Sequence, residues 1–112
     1  MTIKKTIGRI AAGAIATLAI AGAAAPAFAH SANQGGASSW NSGRTFYVKD
    51  TDADSHSVYG NWAVSGGSGN DGRLDNSSGY NTTVSKDVNG DIISVRACVN
   101  IQWGTDDCSG WY

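Results

Sequence analysis

Glutamate is absent from the 112-residue chain, which also holds only one proline, one methionine and two cysteines. The proline and the methionine, Pro26 and Met1, lie within the first 29 residues, a segment with the features of an export signal. The other 83 residues carry five bases against nine aspartates, a net charge of −4, which excludes a general nucleic-acid binder. No part of residues 30–112 approaches the ~18 consecutive apolar residues of a membrane span, so we expect no membrane association after processing.

Large aliphatic side chains are also scarce. Val, Ile, Leu and Phe account for 12 of the 83 residues, below the roughly 20% at which a chain begins to resemble a disordered one. Four Trp and four Tyr offset this deficit, because each buries on the order of 150–250 Å² when it lies in a core. We therefore expect one small domain that is folded but has a thin core.

Residues 1–29 have the three zones of a secretory signal peptide. A basic start precedes an apolar run over residues 10–25, and Ala27-Phe28-Ala29 supplies a small-residue cleavage site. A buried or membrane helix is the alternative, which the short run and the cleavage site that follows it disfavour. The pattern predicts a secreted, extracellular protein that begins at His30.

Cys98 and Cys108 are the only cysteines of the chain. Because compartments outside the cell are oxidising, secretion predicts that they form the one possible disulfide. Closing the 11-residue loop from Cys98 to Cys108 stabilises the fold by roughly 2.5–3 kcal/mol on the chain-entropy estimate. In a domain with so thin a core, we expect this bridge to be needed for stability.

Residues 45–112 alternate between short β-type segments and turns, with no helical periodicity. The pattern predicts an all-β fold, a small antiparallel sandwich or barrel of five to six short strands with one disulfide. Asn89-Gly90 is a strong hairpin signal before the last strand. The polar residues 30–44 are predicted to be a flexible lead-in to the β domain of residues 45–112. The main predicted strands cover residues 45–49, 57–64, 73–76, 80–86 and 92–103.

The last predicted strand, residues 92–103, has the clearest alternation in the chain. Every second residue from Ile93 to Trp103 is apolar, and Cys98 falls on the opposite, polar face. We therefore expect the bridge at the outside or rim of the sheet. Two arrangements of the loop remain open. The favoured one is a hairpin that reverses at Trp103-Gly104; in the other, the strand stops near Asn100 and residues 101–107 form a compact loop.

Three segments carry a resemblance to a known group: Arg96-Ala97-Cys98, the closing Asp106-Asp107-Cys108-Ser109-Gly110-Trp111, and residues 49–54. Together they resemble small secreted actinobacterial proteins with a C-terminal Arg-x-Cys strand and a closing Cys-Ser-Gly-Trp segment. The resemblance covers roughly residues 45–112. It implies secretion, a β fold and the Cys98–Cys108 bridge, and it implies no biochemical activity.

Asp50, Asp52 and Asp54 occupy alternate positions, as do the first ligands of a calcium loop. The pattern then fails, because Ser55 replaces the glycine of position six and Asn61 replaces the glutamate of position twelve. A hairpin turn stabilised by Asp side chains explains the same residues, so calcium is only a weak candidate here. No other metal or cofactor motif appears in the sequence.

Aromatic residues are the candidates for ligand binding. Trp and Tyr rings can stack on sugars, and a row of exposed rings would indicate a module that binds cell-wall or environmental polysaccharide. Trp62 and Trp103 fall on the predicted core face, and the alternative for all of these rings is that they fill the thin core. The remaining candidates are Trp40, Tyr47, Tyr59, Trp111 and Tyr112.

We therefore expect a secreted, monomeric, non-catalytic β domain that binds an extracellular polysaccharide or protein without a cofactor. The alternative is an inhibitor, toxin or bacteriocin-like protein that acts through an exposed disulfide loop. An enzyme would need a concave pocket that contains His56 and an aspartate. The candidate loop residues are Trp103, Gly104, Thr105, Asp106 and Asp107.

Overall fold

The computed structural model describes residues 28–112; all but the last two residues of the predicted signal peptide, 1–29, lie outside this range. The described residues contain strands and turns and no helix, and hence no helix that could cross a membrane. Eight strands follow one another along this part of the chain: β1 (Phe28–Gln34), β2 (Ala37–Ser42), β3 (Thr45–Asp50), β4 (Val58–Val64), β5 (Gly72–Asn76), β6 (Thr83–Asp87), β7 (Ile92–Val99) and β8 (Asp107–Cys108).

The strands form two four-stranded antiparallel sheets. The first has the order β1-β2-β3-β6 and the second the order β5-β4-β7-β8. One disulfide joins Cys98 to Cys108. The predicted all-β fold with a single bridge is confirmed, with more strands than the five or six expected.

Alternation along the strands places the core between the two sheets. Phe46 and Val48 of β3 are fully buried, as are Val58 of β4 and Val95 of β7. The rings of Phe46 and Trp62 pack 5.0 Å apart at an angle of 56°. An aromatic pair at the centre of the interface replaces the aliphatic side chains that this sequence lacks.

Gly60, in the middle of β4, allows the sheets to approach each other closely. A Cβ atom at this position would lie 2.6 Å from Cζ of Phe46 and 2.9 Å from a methyl group of Val48. It would also collide with the Oγ atom of Ser39, a buried hydroxyl that makes no hydrogen bond among the described residues. Gly60 therefore makes room for the ring of Phe46, and its pairing with both neighbouring strands is regular.

The predicted flexible lead-in, residues 30–44, is wrong: it contains most of β1 and all of β2. Ala32, Ala37 and Ser39 alternate inward and are almost completely buried. Their side chains are small, so they line the interior without producing the strong hydrophobic pattern by which strands are recognised in a sequence. The β domain therefore begins well before residue 45.

Two turns predicted as hairpins are crossovers between the sheets instead. The Asp-rich residues 51–57 carry the chain from β3 in the first sheet to β4 in the second. Residues 88–91, with Asn89-Gly90, likewise join β6 of the first sheet to β7 of the second. Val88 is buried in this crossover, so the chain turns into the core rather than back along its own sheet.

Asn76, at the end of β5, joins the two sheets by hydrogen bonds. It is fully buried, and its Nδ2 atom donates to the carbonyl oxygen of Val48 (3.2 Å) and to that of Thr82 (2.8 Å). Its Oδ1 atom accepts from the backbone nitrogen of Ser78 (3.0 Å) and from Oγ1 of Thr82 (3.2 Å). One side chain of the second sheet thus satisfies four polar groups, including a carbonyl of the first.

Candidate functional site

The disulfide loop, residues 98–108, begins where β7 ends at Val99. Cys98 pairs with Cys108 and Val99 with Asp107, and residues 100–106 form a loop beyond these pairs. The favoured hairpin that reverses at Trp103-Gly104 is therefore wrong, and the alternative of a short strand followed by a compact loop is the observed one. Trp103 itself has a φ of 65°, in the left-handed region, so it is not part of an extended strand.

Trp103 is at 102% relative exposure, so its side chain is completely outside the fold. The prediction that it lies on the core face is wrong, because that prediction required β7 to continue past Asn100. Ile93, at the other end of the same predicted face, is 51% exposed. The pairing of β7 with β4 shifts register between Ala63 and Val64, so that Ile92 and not Ile93 points into the core. The apolar face of β7 is buried only over Val95 to Val99.

Asp106 fixes the loop from inside. Its Oδ2 atom accepts a hydrogen bond of 2.6 Å from the hydroxyl of Tyr59, and its Oδ1 atom accepts one of 3.0 Å from the backbone nitrogen of Ile101. These two bonds hold the pKa of the Asp106 carboxyl below its ordinary value. Burial, together with the bond to Asp106, raises the pKa of the Tyr59 hydroxyl. The loop is therefore tied to β4 as well as closed by the disulfide.

The bridge joins β7 to the edge strand β8, at the rim of the second sheet as expected, and Cys98 is nevertheless fully buried. The C-terminal segment runs beside β7, with the nitrogen of Ser109 donating to the carbonyl oxygen of Ala97 and with two bonds between Val95 and Tyr112. The hydroxyl of Tyr59 also lies 3.7 Å from Sγ of Cys108. The alternation of β7 correctly separates the two faces, but it cannot show that Cys98 is completely buried on the polar one.

A row of polar side chains crosses the outer face of the second sheet beside this loop. Asn61 of β4 pairs with Arg73 of β5 on one side and with Arg96 of β7 on the other. The guanidinium carbon of Arg73 lies 3.5 Å from the ring centroid of Tyr59, and that of Arg96 lies 5.1 Å from that of Trp111. In the sequence, the sign that Arg96 lies near the bridge is its position two residues before Cys98, on the same face of β7.

The aromatic residues predicted to bind polysaccharide do not form one row. Trp40 and Tyr47 are cross-strand neighbours in the first sheet, half-buried, with their rings stacked at 5.3 Å and 9°. Tyr59 belongs to the second sheet and is 5% exposed, while Trp111 and Tyr112 lie in the C-terminal segment and are exposed. The structure thus brings together one pair, Trp40 and Tyr47, and separates it from the other three.

The aspartates of the weak calcium candidate line a polar groove of about 410 Å³ that also contains His56. Asp50 accepts a hydrogen bond from the nitrogen of Asp52, and Asp54 accepts one from the nitrogen of His56, so these carboxylates stabilise the turn. Within residues 28–112, no three His, Cys or Asp side chains are grouped as a metal site requires.

This groove supplies the concavity that an enzyme would need around His56, and Tyr80 and Gln102 also line it. Catalysis by a histidine base requires a hydrogen bond from its ring to a nucleophile or to an orienting acid. Among the described residues, the only hydrogen bond of His56 is made by its backbone nitrogen. The groove therefore brings His56 near aspartates without assembling a catalytic pair.

Comparisons of the chain with protein-family models, with curated proteins and with solved structures each find no match. The resemblance to small secreted actinobacterial proteins therefore stays a prediction. Function has to be inferred from the site itself.

Proposed function

We propose that this protein is a secreted, non-catalytic binding module that engages a protein partner through the disulfide loop, with Trp103 as its anchor. The observation that carries the proposal is the complete exposure of Trp103 on a loop that is closed by a bridge and tied down by Asp106. The export signal and the disulfide support an extracellular location.

A fully exposed Trp is energetically unfavourable for a free protein, and burying it in a partner removes a large apolar area from water. Trp is among the residues most enriched at the energetic centres of protein interfaces. The backbone of the loop is already ordered by the Cys98–Cys108 bridge and by the bonds of Asp106, so less conformational entropy is lost on binding. These features are those of a rigid loop that presents one anchor side chain.

The test is retention of extracellular proteins on the immobilised domain, comparing the wild type with Trp103→Ala and Ile93→Ala. Ile93 is the matched control, since it is also a large exposed apolar residue but lies at the start of β7, away from the loop. We expect Trp103→Ala to lose the retained partner with unchanged thermal stability, and Ile93→Ala to keep it. Retention of the same partner by both variants would contradict the proposal.

A polysaccharide ligand is the second candidate, favoured by the stacked Trp40–Tyr47 pair. The pair lies among polar residues of the outer face of the first sheet, with Ser31 beside Trp40 and Ser85 beside Tyr47. This candidate is tested by titrating the protein with peptidoglycan, chitin and cellulose while Trp fluorescence is monitored. A saturable shift that Trp40→Ala abolishes and Trp103→Ala keeps would replace the protein partner by a polysaccharide.

A further inference from the structure

Arg96 is distinguished from the other two arginines of residues 28–112 by the charge of its partner. Arg44 pairs with Asp91 at 3.0 Å, and Arg73 pairs with Asp75 at 2.8 Å. Arg96 instead donates from Nε (3.1 Å) and Nη2 (2.8 Å) to the neutral amide oxygen of Asn61. Its guanidinium is therefore held in place by hydrogen bonds without having its charge neutralised by a paired carboxylate.

We propose that Arg96 binds a carboxylate of the protein partner. This inference rests on the proposed protein-binding function and names the chemistry of the partner: an acidic segment placed next to the pocket that receives Trp103. Guanidinium and carboxylate match each other in a bidentate geometry that a lysine cannot reproduce. Arg, like Trp, is enriched among the residues that dominate interface energies.

The geometry prepares Arg96 for this contact. Asn61 fixes its Nε edge, and the ring of Trp111 lies 5.1 Å from its guanidinium carbon, while the Nη1 group makes no hydrogen bond to the described residues. Donors therefore remain for an incoming carboxylate, and little rotamer freedom is left to lose when it binds. Arg96 is only half-buried, so the site is open to a partner.

Arg73, whose charge is paired with Asp75, lies two strands away from Arg96 on the same face. Both arginines pair with Asn61, so roughly 10 Å separates their strands, at ~4.8 Å for each step across the sheet. The phenol of Tyr59 links Arg73 to the loop, because it lies under the guanidinium and donates to Asp106. The row formed by Arg73, Asn61 and Arg96 and the disulfide loop are thus parts of one continuous surface.

The observations favour acidic side chains over an acidic polysaccharide. Sugar recognition uses free aromatic faces, whereas here a guanidinium already lies over Tyr59 and another over Trp111. Tyr59 is in addition 5% exposed, so it offers no face for stacking. What this surface presents is the charged guanidinium of Arg96 next to the loop that carries the exposed Trp103, which suits a protein interface.

The test is an NMR titration of residues 30–112 with a hexaglutamate peptide, following the side-chain Nε–H of Arg96 and the indole N–H of Trp111. We expect saturable shifts, and an apparent Kd raised about tenfold in Arg96→Gln, as for the loss of one charged hydrogen-bonded contact. Arg44→Gln is the matched control, because it removes an arginine of the turn between β2 and β3 in the first sheet while leaving this surface intact. Arg96→Lys keeps the charge and is expected to recover only part of the affinity.

Equal affinities of Arg96→Gln, Arg44→Gln and the wild type would overturn the inference. Tighter binding of galacturonate oligomers than of hexaglutamate at Arg96 would also overturn it, in favour of an acidic sugar. Thermal unfolding of each variant verifies the fold, and Arg96→Lys provides the comparison if Arg96→Gln unfolds. Trp103→Ala should bind hexaglutamate like the wild type, so failure of the Trp103 anchor and failure of the Arg96 site give different results.

Discussion

The hydroxyl of Tyr59 donates a 2.6 Å hydrogen bond to Oδ2 of Asp106, joining the second sheet to the disulfide loop across 47 residues of sequence. The bond is charge-assisted, and Tyr59 is almost completely buried. It acts together with the bridge, which closes the loop only at its base. The position of Trp103 therefore depends on a side-chain contact as well as on a covalent bond.

Tyr59→Phe should loosen the loop while leaving the ring in the sheet. Loss of the hydrogen bond to Asp106 is expected to lower the free energy of unfolding by about 1 kcal/mol, as measured by urea denaturation. Tyr80→Phe is the control, because Tyr80 is 59% exposed and should tolerate the change. Equal losses in the two variants would show that the Tyr59–Asp106 bond contributes nothing specific.

Acid should release the loop at a pH that Asp106 determines. Since its pKa is held below the ordinary 3.8, its contribution to stability is complete above that value and is lost as the pH falls through the lower folded-state pKa. The amide proton of Ile101, which bonds to Asp106, reports this step by NMR. We expect a midpoint below 3.8 that Asp106→Asn abolishes; a midpoint at or above 3.8 would contradict the assignment.

Gly60→Ala should be poorly tolerated because the added methyl group has no space. It would lie 2.6 Å from the ring of Phe46 and 2.9 Å from Val48, and overpacking of this kind costs about 1–3 kcal/mol. Gly110→Ala is the matched control, since the nearest atom to its Cβ, in Tyr112, is 3.9 Å away. Thermal denaturation of both variants measures the difference, and similar Tm values would show that the sheets can separate to accept a methyl group.

Asn76→Asp should destabilise the fold strongly, because aspartate cannot donate to the carbonyl oxygens of Val48 and Thr82. The buried carbonyl of Val48 loses this donor, the carbonyl of Thr82 keeps only its bond from the backbone nitrogen of Asp50, and a charge is added in the interior. We therefore expect a loss of more than about 2 kcal/mol near neutral pH. The exposed Asn89→Asp makes the same chemical change without burial. Urea denaturation that shows the same stability for both variants would mean that Asn76 does not join the sheets.

The sequence by itself determined the class of fold and the covalent framework. Alternation identified β3 and β4 closely, because their large apolar residues point inward at every second position, whereas β7 was predicted to continue four residues beyond its end at Val99. The pairing of Cys98 with Cys108 could be predicted because the chain has only these two cysteines. Strands β1 and β2 were missed, since small inward residues such as Ala32 and Ser39 leave no periodic hydrophobic signal.

Only the tertiary structure decided how the pieces face one another. Turn chemistry at residues 51–57 and 88–91 indicates a change of direction but does not say whether the chain returns to its own sheet or crosses to the other, because that depends on which strands share the core. The exposure of Trp103 follows from the end of β7 at Val99, and the ordering of its loop follows from Asp106 meeting Tyr59. Contacts between residues so distant in sequence leave no local pattern, so the candidate site became visible only once the sheets were assembled.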